Sequence, residues 1–359
     1  MAYPTHLKQL QGGAENGIDT LSLLHGLRST GLNRIDLSII IVNYKCWDVL
    51  GKCLDSFNLY SPKLNYETIV VDNDSQDNKL KSFSQEYPDV KFIENSGNYG
   101  FSSASNLGAD KASGDYLLFL NPDIVLTDSP AIDEMVSFSK NNSNVGITSC
   151  RTIYPNGKLE REIAFISPWL TTGWIRTLYK LALSHKISTK FPQNDKIWYP
   201  EWVAGSVILI KRSFFKEIGR WDQNNFWMYS EDPDLCLKVT NKGKKNALLR
   251  NVQLEHMHGG SSRRNPKTTA ITKSEVVTSS HVFINIHTKG ANRMSLHIFI
   301  IINTLISWLL RTIITMPIFW TSSFKSNILT LIEIIKYYVC VPIRGTWKSK
   351  RLIADEYRR

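Results

Sequence analysis

"LSIIIVNYK", residues 37–45, decides the fold class. It is an almost unbroken apolar run that stops at Asn43-Tyr44-Lys45. A run of that length suits a parallel strand buried on both faces. A helix-like stretch follows, "CWDVLGKCLDSFNLY" (46–60), then a second apolar run, "ETIVVDNDSQD" (67–77), that ends in a polar cluster. "VKFIENSGNYGFSSASNLGADKASG" (90–114) reads as a short strand, a glycine-rich loop and a helix, and "DYLLFLNPDIVL" (115–126) as a strand broken by Asn-Pro-Asp. Strands alternating with helices imply βαβ units and a mostly parallel sheet. Ligands of such sheets bind beyond the carboxyl ends of the strands, where "NYK", "DNDSQD" and "NPD" all fall.

With 42% hydrophobic and 21% charged residues, the chain is that of a folded protein rather than a disordered one. Its five cysteines form no CxxC pair, which predicts reduced thiols rather than a disulfide framework. Of the net charge of +11, most lies in the last stretch: residues 289–359 hold eleven Lys or Arg and three Asp or Glu. The same stretch carries the apolar runs "SLHIFIIINTLISWLLRTIITMPIFW" (295–320) and "NILTLIEIIKYYVCVPIRGTWKSKR" (327–351). Basic charge beside long apolar runs predicts an anionic membrane surface as partner, and no nucleic acid. The N-terminus lacks the pattern of a signal peptide, so the expected place is the cytoplasmic face of the plasma or inner membrane, peripheral or monotopic.

Each polar cluster has a bland and a functional reading. Asp72 in "VVDNDS" is either a turn residue or a fixed acceptor for the imide N–H of uracil or thymine. The loop with Gly97, Gly100 and Gly108 could bring backbone N–H groups to a phosphate, yet it matches neither a P-loop nor a dinucleotide fingerprint. Asp123 after Pro122 is a turn residue unless a hard cation and a diphosphate must be held there.

The stretch from Trp202 to Ser262 narrows the choice, through "AGSVILIKRSFFKEIGRWD" (204–222), "SEDPDLCLK" (230–238) and "HMHGGSS" (256–262). With the preceding blocks it resembles the family 2 glycosyltransferases of the GT-A fold, an α/β Rossmann-like architecture, and most closely their rhamnosyltransferase-like branch. The resemblance runs over 37–262 and extends to membrane-seeking C-terminal helices ending in "IRGTWK". It implies an inverting transferase in bacterial surface polysaccharide assembly (O-antigen or capsule type), with a nucleotide-sugar donor (dTDP- or UDP-linked) and a polyprenyl-diphosphate-linked saccharide acceptor. Asp232 is then the general base, with Glu231 contacting the acceptor or orienting the base. Asn43, Tyr44, Asp72, Asp74, Asn98, Gly100, Asn106 and Asn121 are the implied donor-nucleotide residues. A divalent cation, Mg²⁺ or Mn²⁺, is implied on Asp123 and His256, with His258 as the alternate. Trp202, Gly205 and Trp227 are the implied sugar or acceptor contacts. The chain departs from the family's Asp-x-Asp at Asn121, which removes one negative charge from the motif. The alternatives are a UDP-hexose or UDP-galactofuranose transferase and, from another class, a sugar-nucleotide pyrophosphorylase.

Three regions are expected: an extension over 1–34, a catalytic domain over 35–290 with an acceptor-side insertion at 163–201, and a helical region over 291–359. Asn303, Ser307 and Arg311 recur at i, i+4, i+8 beside Thr304. That spacing gives the first long helix a polar face and favours helices lying in the membrane interface over a spanning hairpin.

Overall fold

The computed structural model describes residues 34–127, 130–160, 196–258 and 265–352. The expected N-terminal extension and most of the 163–201 insertion lie outside them. Strand β1 is Leu37–Asn43, and β2 (Tyr66–Asp72) and β4 (Tyr116–Leu120) flank it in parallel. Strand β3 (Val90–Glu94) lies parallel to the far side of β2. The later strands are β5 (Ile124–Val125), β6 (Val145–Ile153), β7 (Ile197–Trp198), β8 (Val207–Lys211) and β9 (Lys245–His256). The order is β3-β2-β1-β4-β8-β6-β9-β5, with β7 also on β9. The sheet is thus parallel in its first half and mixed in its second, because β8 enters antiparallel to both β4 and β6.

Alternation along β1 explains the run of isoleucines. Leu37, Ile39 and Ile41 face one core with helix α1 (Trp47–Leu59) and helix α4 (Ala131–Asn141), through Leu50, Leu54, Ile132 and Met135. Ile40 faces a second core with α3 (Phe101–Asp110), α5 (Arg212–Glu217) and α6 (Glu231–Asn241), through Ala104, Phe215, Leu235 and Val239. Helix α2 (Lys79–Glu86) completes the second βαβ unit. A strand covered on both faces has no side to leave polar, so its sequence reads as continuous apolar. Register brings the functional ends together: Asn43 pairs with Asp72, Asp72 with Glu94, and Ile41 with Leu120.

The chain ends in three helices, α7 (Pro266–His287), α8 (Gly290–Thr315) and α9 (Ser322–Arg344). Helix α7 precedes the expected boundary at 290 and packs both ways. Val277 and Ile284 meet Leu296, Ile300 and Ile334 of the other two helices, while Val282 and Phe283 meet Phe226. Of the polar stripe of α8 Arg311 is exposed, but the rest does not face water as the spacing suggested. Asn303, Thr304 and Ser307 are buried, as are Ser326, Asn327 and Thr330 of α9. Several of their hydroxyls donate to carbonyls one turn back, Thr312 to Trp308 at 2.8 Å and Thr330 to Ser326 at 2.6 Å, which lets them sit inside without water. The outer face is apolar instead: Ile298, Ile302, Ile306, Leu310 and Ile313 are exposed on α8, and Ile332, Ile335, Val339 and Ile343 on α9. Cys340 is exposed there too, whereas Cys46, Cys53, Cys150 and Cys236 are buried. Gly345, with φ of +64°, ends α9 in the left-handed conformation that glycine tolerates best, and the chain turns back toward α7.

Candidate active site

Beyond the ends of β1 and β2 the polar clusters form one hydrogen-bonded unit. Asp72 is buried; its Oδ1 accepts from Asn43 Nδ2 at 2.8 Å and from Ser75 Oγ at 2.5 Å, and its Oδ2 from Ser75 N at 3.0 Å. A carboxylate has about four lone-pair directions, of which these bonds use three. Asn43 also accepts from Cys46 N at 3.1 Å, and Ser75 Oγ from Lys45 N at 2.7 Å. Tyr44 is half-buried beside this unit, and Asp74 takes a left-handed φ of +66° with its carboxylate accepting from Gln76 at 3.2 Å.

The glycine-rich loop is bolted to the aromatic stretch before α6. Phe101 N donates to the Trp227 carbonyl at 2.9 Å, and the Trp227 indole donates to Asn98 O at 3.2 Å. Gly100 has φ of +88°, and a Cβ there would stand 2.1 Å from the Trp227 carbonyl oxygen. Asn98 Oδ1 accepts from Gly100 N at 3.2 Å and from Asn73 Nδ2 at 3.0 Å, which joins the loop to the β2 end.

A second cluster gathers at β5 and β9. Asp123 Oδ1 lies 3.3 Å from His256 Nε2, and both residues are buried. His256 Nδ1 lies 3.1 Å from Glu160 Oε2, and His258 Nε2 lies 3.2 Å from Glu160 Oε1. The imidazoles overlap at 3.7 Å between centroids, because His258 takes a left-handed φ of +51° just beyond β9. One ligand atom each from Glu160, His256 and His258 lies within 4.8 Å of the others. Oxygen and imidazole donors around one point fit a divalent cation. Burial alone would lower the pKa of His256, but the Asp123 and Glu160 carboxylates outweigh it and raise it to about 9. For Glu160, burial is outweighed by hydrogen bonds from His256 and Thr152, which hold its carboxyl below the usual range. A proton on His256 and a divalent cation therefore compete for the same carboxylates.

Glu160 is the site residue the sequence reading missed. Its signal was "YPNG" (154–157), a turn that reverses the chain so that Glu160 N donates to Thr152 O at 2.9 Å.

The acids of "SEDPD" open α6. Tyr229 and Ser230 both have left-handed φ, +71° and +64°, an uncommon pair for non-glycine residues. Asp232 Oδ2 accepts from Gly205 N at 3.1 Å. One residue on, Ser206 O accepts from Asn121 N at 2.9 Å. The short loop 204–206 thus links the Asn-Pro-Asp break on one side to Asp232 on the other. Burial raises the carboxyl of Glu231, with the Asp232 charge adding to it, and its Oε2 has no hydrogen-bond partner among the described residues. Burial also raises Asp232, less far, because Gly205 N–H stabilises its charged form. Two neighbouring carboxyls pushed to different acidities suit one that holds its proton and one that takes a proton.

Two of the expected contacts have structural occupations. Asn106 donates to Trp221 O at 2.9 Å and to Gln223 Oε1 at 2.8 Å, which fastens the 221–223 turn to α3. Trp227 is mostly buried, with its N–H and carbonyl both committed to the glycine-rich loop. Trp202 is half-buried three residues before Gly205, on the flank of the Asp232 loop. Asp234 is buried, ion-paired to Lys238 and hydrogen-bonded to His287 Nε2, both at 2.9 Å, and Cys236 is core.

A family model described as "Glycosyl transferase family 2" matches residues 38–219. Rhamnosyltransferase WbbL of Escherichia coli (strain K12) is 30% identical over 219 residues, covering 57% of this chain and 77% of WbbL. The O-antigen biosynthesis protein RfbC of Myxococcus xanthus is 25% identical over 232 residues; the match takes in 64% of this chain but only 18% of that much longer protein. Among solved structures, the mannosyltransferase PcManGT from Pyrobaculum calidifontis, in complex with GDP-Man and Mn²⁺, superposes with a TM-score of 0.50 at 14% identity. It covers 88% of this chain and 94% of its own, and the likeness is one of fold.

Proposed function

The chain belongs to glycosyl transferase family 2, a glycosyltransferase on the GT-A fold, and on that premise we propose that it transfers L-rhamnose from a deoxythymidine-diphosphate donor onto a lipid-linked saccharide, with inversion at the anomeric carbon. The observation that carries this reading is the loop 204–206, which holds Asn121 through Ser206 and Asp232 through Gly205. A donor lying along the strand ends would have its diphosphate at Asp123 and its anomeric carbon within reach of an acceptor activated by Asp232. Asp72 would accept the base imide, and Asn98 and Gly100 would line the nucleotide.

The chemistry is a single displacement. Asp232 takes the acceptor's hydroxyl proton as the oxygen–anomeric carbon bond forms, and the carbon–phosphate oxygen bond breaks on the opposite face. Asp123, Glu160, His256 and His258 would hold a divalent cation, which supplies Lewis-acid stabilisation of the charge that collects on the departing diphosphate. Glu231, keeping its proton, would donate to an acceptor oxygen without adding a second negative charge. The apolar outer face of α8 and α9 supports an acceptor held at a membrane, and both helices are long and apolar enough to cross one. The O-antigen role of RfbC and the rhamnosyl transfer of WbbL point to surface polysaccharide assembly. A UDP-hexose donor is the second reading, since the imide of uracil fits Asp72 equally well.

The test is nucleotide release by the full chain in lipid vesicles from a panel of dTDP-, UDP- and GDP-sugars, with a lipid-linked saccharide and Mn²⁺. Asp232→Asn should lower turnover ~10²–10⁴-fold, as loss of a general base does, while dTDP binding holds. Asp123→Ala should weaken donor binding and remove the dependence on cation. No release from any nucleotide sugar would overturn the reading.

A further inference from the structure

The segment that follows the C-terminal hairpin returns to the catalytic loop. After Gly345 the chain lays Trp347 flat against His297, with ring centroids 4.2 Å apart, and against His281 at 4.5 Å. Tyr337 donates to Trp347 O at 2.9 Å. Ser349 Oγ donates to Glu275 Oε1 of α7 at 2.9 Å, and Arg351 forms an ion pair with the same oxygen. The Arg351 guanidinium then lies over the indole of Trp227, 4.9 Å from its centroid. Trp227 in turn fixes Asn98, Gly100 and Phe101 on one side, and on the other it leads through the left-handed Tyr229 and Ser230 into Glu231 and Asp232. Helix α7 braces the same stretch, with Ser279 Oγ donating to Met228 O at 2.6 Å.

We propose that Arg351 is a positioning residue for the transfer reaction. Glu275 fixes the guanidinium, the guanidinium caps Trp227, and Trp227 sets the spacing between the donor loop and the helix that carries the base. A cation held over an indole and partly shielded from water is attracted to the ring face, and the planar guanidinium stacks where an ammonium cannot. The buried Glu275 serves to hold Arg351 in place, since it meets both Arg351 and Ser349. The tail beyond the hairpin is therefore part of the catalytic apparatus, and its distance in sequence from the base is 119 positions only because the chain first makes the three-helix layer.

This inference rests on the donor and base assignments proposed above. The test uses the full chain in vesicles and requires first that the wild-type protein release nucleotide; failure there sinks the proposed function and the role of Arg351 with it, whereas unaltered variants beside an active wild type sink that role alone. Two variants separate position from stability. Arg351→Lys keeps a charge beside Glu275 but loses the flat face over Trp227. The double variant Arg351→Met with Glu275→Gln removes the guanidinium without stranding a buried carboxylate. In the double variant kcat should fall about tenfold, in line with loss of one partly desolvated cation–π contact, and the KM for donor should rise with it. Arg351→Lys should fall between the double variant and wild type, and vesicle binding should be unchanged in both. Partial unfolding would lower kcat by lowering the active fraction and leave KM alone. The role is overturned if the double variant stays within twofold of wild type in both constants, or if kcat falls with melting temperature while KM is constant.

Discussion

Asp232 and Glu231 are adjacent in sequence and differ in what surrounds them. Asp232 is half-buried with one backbone N–H on its carboxylate, whereas Glu231 is buried with one oxygen unpartnered. Burial raises Asp232 above the usual aspartate range, so transfer, which needs it ionised, should fall as pH drops toward that raised value. A kcat–pH profile flat down to pH 4 would refute this assignment. Glu231 bears on stability with the opposite sign to an ordinary paired acid. Burial, with the Asp232 charge beside it, raises its folded value well above that of the unfolded chain, which titrates at about 4.3, so the fold binds its proton more tightly. The stability it contributes is present at low pH and is lost as pH rises across that window. Glu231→Gln should therefore melt close to wild type at pH 5 and above it at pH 9. At this scale the sequence singled out Asp72, Asp123 and Asp232 as candidates, because each ends an apolar run or opens a helix. Glu160 ends no such run and enters the site only through the hairpin reversal at 154–157. The sequence also left His256 and His258 as alternates, although Glu160 holds both.

Among the elements, the first four strands were readable because burial on both faces leaves an unbroken apolar signature. The antiparallel entry of β8 was not, because "VILIK" (207–211) looks alike in either direction. Helix α8 shows a different limit. Periodicity groups Asn303, Thr304 and Ser307 on one side, but it does not say whether that side meets water or other helices, and here it meets helices. The loop before α3 yields a sharp prediction. Any Cβ at Gly100 costs about 1–3 kcal/mol for the backbone alone, since φ of +88° with ψ of 173° is a region essentially only glycine visits, and it also collides with a carbonyl fixed by Phe101. Gly100→Ala should move Trp227 and weaken dTDP binding, measured by calorimetry, with little change in vesicle binding. Undiminished dTDP affinity would show that the loop does not line the nucleotide.

For the whole molecule, polar groups packed inward and isoleucines turned outward are the arrangement a helical layer takes in lipid rather than in water. Paired changes Ile302→Lys and Ile306→Lys alter only the outer face and should release the protein from vesicles, at a cost of order 2–3 kcal/mol for each charge placed in the hydrocarbon. Donor binding should persist. Continued sedimentation with vesicles would mean that this face is not the one inserted. Deleting residues from 291 onward is a poorer test, because it also uncovers Val277 and Ile284 of α7 and strips Arg351 from Trp227. Such a protein should lose activity by losing shape, not merely by losing its anchor. The helical region was expected from 291 onward; α7, within the expected catalytic domain, joins its two helices to that domain through tertiary contacts no local pattern encodes.

The cysteine distribution makes the protein its own depth gauge. With four thiols sealed in the core and Cys340 on the outward face between Val339 and Ile343, a thiol-reactive nitroxide should label one position without any engineered mutation. In vesicles the spin at Cys340 should relax faster with dissolved oxygen, which concentrates in lipid, than with a water-soluble nickel chelate. The ratio of the two reports how far α9 sinks below the headgroups, and equal sensitivity would place that face in water.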